Sequence, residues 1–550
     1  MGQAVAETWQ AIAARKQEER SSRIPAEWLI PTDLLPSPEQ DFVQDFPATS
    51  GFFTSEELSY TEATAADVIA NIASGKWTSL DVVKATCKRA AVAQQLINCL
   101  TEILFEQALT RAAELDAHFQ STGKTVGPLH GLPISLKDQF NLEGVDSTIG
   151  YAAWAGKKPT EESTLVKALR DAGAVLYVKT NVPTTLMMGE SVNNLFGRTV
   201  NPRNRNLTTG GSSGGESALI TFRGSFLGVG TDIGGSIRHP ASYTGLFALR
   251  PSHGRVSYQQ ATNTFLGQEA VRSCAGPMCR SPEDIRLFMS GLASQRTWER
   301  DPQVVPLPWR TEEESLPEKL CFGFGMGDGY VTPTPPLRRA MEMTKASLLK
   351  AGHNVIEFIP YETKEAYELI SNMWVADGGE EIRRDAGLTG EPLPPNVESI
   401  FGRSNKSLKP LSVFETWQIQ HKRSLLAQRF LERWQQTHEV TGTGRPIDGL
   451  ITPSTPFPAI RHNTRYAWNY GVLSPLLDLT TGVFPVTEVN LDADTVPMDW
   501  KPISDKDQEV MDLYGKPDHH KNALVGLALI GRRLEEEKVT AMLKVIRDAL

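Results

Sequence analysis

Two segments of this chain carry residues whose types and spacing could do chemistry. The first runs from Gly210 to Arg238, where GGSSGGESAL is followed, after a short apolar stretch, by GVGTDIGGSIR. The second is GLPISLKDQF, in which Lys137 sits among apolar residues and prolines instead of on a charged face. No histidine or carboxylate stands near these serines with the spacing of a serine-protease triad. If Ser236 is a nucleophile, something other than histidine takes its proton, and Lys137 is the candidate. An ordinary lysine, with a pKa of about 10.4, is a poor base at neutral pH, but burial disfavours the charged form and lowers that value by several units.

The glycines admit two readings. A tight turn that binds nothing, or an anion nest ahead of a helix beginning near Glu216, explains GGSSGG on its own as well as a catalytic loop does. The second cluster favours chemistry. Glycines let backbone amides approach a ligand closely, and successive N–H groups in DIGGS can converge on one point. A negative oxygen formed during attack on a carbonyl would be stabilised there by about 3 kcal/mol per donor. His239, three residues after Ser236, reads as packing or pocket lining before catalysis.

These residues need a rigid frame. Residues 1 to about 75 read as a peripheral helical arm, helical from Glu7 to Arg23 and then interrupted by Pro25, Pro31, Pro36 and Pro38. Helices are expected around Ser79 to Ile97 and Thr101 to Gln120. From Ser163 a capped helix with Leu165, Val166 and Leu169 on one face stops at Gly173 and feeds the strand-like AVLYVK. A similar transition recurs from Ala346 to Ile359, and GLIT runs into the loop from Pro453 to Pro456. Such alternation predicts an α/β fold with a covered, mostly parallel or mixed sheet. Residues 76–550 read as one domain, with a catalytic core at about 125–265, a more polar and helical insertion or lid at about 266–445, and a sheet-completing part at 446–550.

Composition narrows the function. The 550 residues carry a formal charge of −9 without a basic stripe, which argues against nucleic acid and leaves a small neutral ligand as the expected partner. No apolar run approaches the roughly 18 residues of a spanning helix. The first twenty residues carry charges where a signal peptide needs an apolar core, and the residues after Gly2 lack the usual myristoylation pattern. Five scattered cysteines without a CxxC pair favour neither disulfides nor zinc and fit a reducing, cytoplasmic setting.

Three other motifs are decoys. GKT at Gly123 lacks the upstream glycine of a phosphate loop, His118 standing in its place. The glycines of GFGMGDG from Gly323 alternate instead of following a dinucleotide fingerprint, and His519-His520 reads as a polar loop.

GLPISLKD, NPRNRN, GGSSGGE, GVGTDIGGSIR, RPSHGR and LIGRRLEEE together make the chain resemble the amidase signature family, and within it the fungal acetamidases or general amidases, over almost its whole length. Lys137, Ser212 and Ser236 fall 75 and 24 residues apart, similar to the family's spacing. The resemblance implies a large mixed β-sheet covered by helices on both faces and an amide hydrolase with a Ser-cisSer-Lys triad. Ser236 would attack, Ser212, joined to Gly211 by a cis peptide bond, would relay the proton, and neutral Lys137 would accept it. The amides of Ile233, Gly234, Gly235 and Ser236 would form the oxyanion hole. Ser213 would support Lys137 through a hydrogen bond, and Asp232 and Arg238 would pair to hold the loop. No metal or organic cofactor is implied, and a homodimer is compatible with the family although no apolar seam demands one. Met187, Met188, Gly210, Gly211 and His239 are expected as pocket lining. The C-terminal NALVGLALIG departs from the family's GxPVGxQxIG at Asn522, Leu524 and Ala528. Acetamide-like, indole-3-acetamide, fatty-amide, carbamate and ester substrates stay open, as does an ammonia-channelling amidotransferase subunit.

Overall fold

A computed structural model describes residues 7–465 and 468–550; Gly2 and its neighbours lie outside the described residues. The frame is an eleven-stranded mixed sheet. In chain order its strands are β1 (Leu100–Ile103), β2 (Pro133–Lys137), β3 (Val175–Thr180), β4 (Leu227–Asp232), β5 (Phe247–Arg250) and β6 (Cys274–Cys279). There follow β7 (Cys321–Phe324), β8 (Asn354–Glu357), β9 (Gly449–Pro453), β10 (Thr481–Glu488) and β11 (Leu524–Ile530). Across the sheet they run β1-β3-β2-β4-β6-β5-β10-β11-β9-β7-β8. Strands β3, β2 and β4 are mutually parallel, β9, β7 and β8 likewise, and every other pairing is antiparallel.

All residues of β2, β3, β4 and β6 are buried, on both faces of the pleat. A strand covered on both sides needs a continuous run of compact residues, and VLYVKT and LGVGTD supply one where an alternating pattern would have left a wet face. The helix Thr164–Asp171 turns Leu165, Val166 and Leu169 inward and stops before Gly173, whose φ of +92° lets the chain turn directly into β3. The principal core gathers around Ile134, Leu136, Leu227, Val229, Leu249 and Leu527.

Two expectations change in detail. The predicted second helix, Thr101 to Gln120, begins instead at Phe105 because Leu100–Ile103 is taken into the sheet beside β3. The segment 266–445 is not simply a helical insertion, since it supplies β6, β7 and β8; its helices concentrate between Glu362 and Gln436. The apolar stretches Cys274–Cys279 and Cys321–Phe324 are too well buried for a surface lid.

The N-terminal helix, Trp9–Ser22, packs across the edge strand β1. Its Lys16, 2% exposed, meets Glu102 at 2.7 Å and Asp146 at 2.9 Å, and Arg20 donates to the Leu100 carbonyl at 2.7 Å. The arm thereby covers an edge that would otherwise offer unpaired backbone groups. Among the described residues no helix is long and apolar enough to cross a membrane, no His/Cys/Asp/Glu cluster could hold a metal ion, and all five cysteines are free and buried.

Candidate active site

The carboxyl ends of the parallel strands β2 and β4 deliver the chemistry-bearing residues, the place where open α/β sheets characteristically bind ligands. Lys137 is the last residue of β2, and Thr231 and Asp232 close β4. Ser212 lies in the loop just ahead of the buried helix Gly214–Thr221. Ser236 lies in the turn between β4 and the helix Arg238–Thr244. The Ser213 N–H donates to the Ser236 carbonyl at 3.1 Å, so the two serine loops are tied to each other through their backbones. The Gly211–Ser212 peptide bond is cis.

Lys137 is completely buried, with Nζ 2.7 Å from Ser212 Oγ and 2.7 Å from Thr231 Oγ1. Burial lowers its pKa to about 7, against the pull of the Asp232 and Glu216 carboxylates. The amine therefore exists in both protonation states near neutrality, as a general base must. Glu216, on the helix that follows the serine loop, accepts from Ser135 and from Thr180, and burial pushes it up to about 7.

Asp232 and Arg238 are both buried and meet through two N–H···O bonds of 3.0 Å. Burial alone would raise the Asp232 carboxyl, but Arg238 and the backbone donors hold it well below the usual carboxylate range. The same carboxylate takes the N–H of Gly235 at 2.8 Å and of Ile237 at 3.1 Å. From the C-terminal part of the chain, Asn469 donates to the Gly234 carbonyl at 2.7 Å and the Gly471 carbonyl accepts from Arg238 at 2.6 Å. The serine-bearing turn is thus held from two sides.

Ser212, Thr231, Ile233 and Ser236 line one cavity with Leu186, Met187, Tyr258, Asn263, Thr264, Phe265 and Ser273. Its free volume is about 10 Å³, roughly the room of a single water.

Several residues stand elsewhere than expected. The Ser213 hydroxyl is engaged with the backbone of Thr231, its carbonyl at 3.4 Å and its N–H at 3.3 Å, while the side chain bonded to Lys137 alongside Ser212 is that of Thr231. The reason is strand adjacency, because β4 lies directly beside β2. Of the expected oxyanion amides, Gly235 points its N–H at Asp232, which leaves Ile233, Gly234 and Ser236. Of the expected lining residues, Met187 faces the cavity. Met188 instead packs among Ile382, Val397 and Phe401. Gly210 lies against Pro240, and Gly211 against the Met188 carbonyl, which a Cβ would meet at 2.4 Å. His239 sits behind Gly235, buried, its pKa lowered to about 4 by burial and by Arg238.

Sequence reasoning missed Thr231, Gln139, Glu216 and the wall formed by Tyr258, Asn263, Thr264, Phe265 and Ser273. Gln139 had a signal: it stands two residues after Lys137, the interval that shares a strand face.

The class of the protein comes from comparison with known proteins. The amidase family matches residues 81–540, and the chain belongs to the amidase signature family: it is an amidase, a hydrolase. It is 42% identical over 550 residues to an acetamidase of Emericella nidulans, covering 99% of this chain and 98% of that one. It is 64% identical over 543 residues to the Curvularia clavata protein kk1C, provisionally named an amidase, covering 99% of this chain and 98% of that one. Among solved structures, a fatty acid amide hydrolase superposes with a TM-score of 0.92 at 33% identity, covering 98% of this chain and 95% of that one.

Proposed function

We propose that this amidase hydrolyses a small carboxylic acid amide to the acid and ammonia or an amine, through an acyl ester on Ser236. The observation that carries this reading is the buried Lys137 amine, 2.7 Å from the Oγ of Ser212, which lines one cavity together with Ser236. Ser236 Oγ attacks the amide carbon as its proton passes to Ser212 and the Ser212 proton passes to neutral Lys137. The oxygen that becomes negative is met by the amides of Ile233, Gly234 and Ser236. When the C–N bond breaks, the proton held on Lys137 returns by way of Ser212 to the leaving nitrogen. Water then cleaves the ester by the same relay, restoring both serines.

The acyl group is small on this reading, which rests on the similarity to the acetamidases. Likeness to the fatty acid amide hydrolase favours a long acyl chain as the second reading.

The test is ammonia release from acetamide by the purified chain without any partner. Wild type is expected to release ammonia, and Ser236→Ala to release none while melting normally. Release by Ser236→Ala at more than a trace would remove the nucleophile from the reading; a requirement for a second protein would favour the channelling subunit.

A further inference from the structure

We infer that Gln139 is a positioning residue: its side-chain amide sets the direction of the hydrogen bonds around Lys137 so that the amine's lone pair is left facing Ser212. This rests on the proposed Ser236–Ser212–Lys137 relay and adds to it the reason why the amine accepts a proton from one neighbour and not the other.

Hydrogen-bond polarity carries the argument. Gln139 is fully buried and follows β2 by two residues. Its backbone carbonyl accepts the Thr262 N–H at 2.8 Å, and its Nε2 lies 3.2 Å from the Thr262 carbonyl oxygen and 2.6 Å from the Tyr258 hydroxyl. A carbonyl oxygen only accepts, so the NH2 end of Gln139 must face Thr262 and the oxygen end must face the other way. There Oε1 stands 2.6 Å from Thr231 Oγ1. An amide oxygen also only accepts, so the single hydroxyl hydrogen of Thr231 is committed to Gln139.

Thr231 can then only accept from Lys137, whose Nζ lies 2.7 Å away. A neutral amine has two hydrogens and one lone pair. One hydrogen goes to Thr231, and the lone pair is kept for the Ser212 hydroxyl, also 2.7 Å away. Without an obligate acceptor beyond it, Thr231 could turn its own hydrogen onto Nζ. The lone pair would be blocked and the relay would stop at Ser212. The chain from Ser212 through Lys137, Thr231 and Gln139 to Tyr258 begins and ends on the same cavity, each member bonded directly to the next.

The experiment compares kcat, KM and the pH profile of kcat/KM on acetamide for wild type, Gln139→Met, Gln139→Glu, Thr231→Val and Thr231→Ser, with melting curves for each. Gln139→Met removes the acceptor at similar volume, and its kcat is expected to fall roughly tenfold or more, up to the 10²–10⁴ that a positioned base contributes, with KM unchanged. Gln139→Glu keeps an acceptor toward Thr231 and adds a charge that favours the ammonium, so its acidic limb is expected at higher pH. The other groups that face Lys137, namely Asp232 (held by Arg238) and Glu216, are the same in every variant. Thr231→Val is expected to lose activity as Gln139→Met does, and Thr231→Ser to recover most of it, so the Thr231 pair decides the matter if Gln139→Met does not fold. Folded Gln139→Met or Thr231→Val enzyme with wild-type kcat, or an unmoved limb in Gln139→Glu, would overturn the inference. Lys137→Met run alongside separates the layers: inactivity there beside full activity in Gln139→Met defeats the role of Gln139 alone, and activity in Lys137→Met defeats the relay beneath it.

Discussion

Asp232 grips Arg238 with both carboxylate oxygens and spends the same two atoms on the N–H groups of Gly235 and Ile237. One buried carboxylate thereby fixes both the side chain that braces the serine turn and the backbone of the turn itself. The arrangement satisfies the carboxylate in every direction, which is the condition under which a buried ion pair survives desolvation.

Asp232→Asn leaves a buried guanidinium without its counter-charge. We expect a loss of about 3–5 kcal/mol of stability, read as a lowered Tm, together with reduced turnover. The sign with pH is defined. The folded-state pKa of Asp232 is depressed below 3.8, so its contribution is complete above that value and is lost only as pH falls below it. The Tm gap between wild type and variant should be constant from neutral pH down to mild acid and shrink only in strong acid. A gap that closes in mild acid would mean that another group supplies the stability.

Gly235 adopts φ +127°, and a Cβ there would stand 2.2 Å from the His239 ring. Gly235→Ala is therefore expected to abolish activity. Adding His239→Ala relieves the contact but not the backbone strain, so the double variant should recover little. The pKa of His239, about 4, keeps the ring neutral through the working range. His239→Gln should leave the acidic limb of the pH profile where it is in wild type; a moved limb would give the ring a part in proton transfer.

Lys137 trades stability for reactivity. Its folded pKa of about 7 lies below the ordinary value of 10.5, so the unfolded chain binds the extra proton between those pH values and wild-type stability rises with pH across that window. Lys137→Met removes the buried amine. We expect it to be inactive yet more stable by about 1 kcal/mol or more at pH 6, with the gain shrinking toward pH 10. Calorimetry at the two pH values checks this; a destabilised Lys137→Met at pH 6 would mean that the hydrogen bonds to Ser212 and Thr231 outweigh the cost of burial.

Legibility followed locality. The strand Val175–Thr180 and the helix before it were readable because apolar periodicity and a stopping glycine lie within twenty residues; the expected Ser163 cap does not form, its hydroxyl bonding the Asn141 N–H and the Gln260 carbonyl instead. Lys137, Ser212 and Ser236 were readable because glycine-rich turns and a lysine in apolar company are local anomalies. Thr231 beside Lys137 was not, because it depends on β4 lying next to β2, ninety-odd residues apart in sequence. The cavity wall was hidden for the same reason. Tyr258, Thr264 and Phe265 are ordinary loop residues until Thr264 bonds the Thr185 carbonyl at 2.8 Å and brings that loop over the serines. Met188 was misplaced as lining because adjacent methionines differ only in which way the chain turns: Thr185 and Leu186 both take positive φ, which directs Met187 inward and Met188 toward Phe401.

Phe265 is the residue at which we expect acyl length to be set. It occupies the left-handed region at φ +61°, its ring lies 5.9 Å from that of Phe401, and the next residue, Leu266, donates its N–H to Glu381 at 3.1 Å. The helical segment carrying Glu381 and Phe401 thus pins the loop from outside, and the aromatic ring closes a cavity with room for about 10 Å³. Removing the ring should open space for additional methylenes, each worth about 0.8 kcal/mol when buried. Phe265→Ala is therefore expected to raise kcat/KM for hexanamide relative to acetamide by about tenfold or more, since two or more methylenes gain burial while Ser236 is untouched. Assays of acetamide, butyramide and hexanamide on one preparation read this directly. If Phe265→Ala lowers all three rates equally, the ring only supports the fold and the acyl group lies along another wall, with Leu186 and Met187 the next to be truncated.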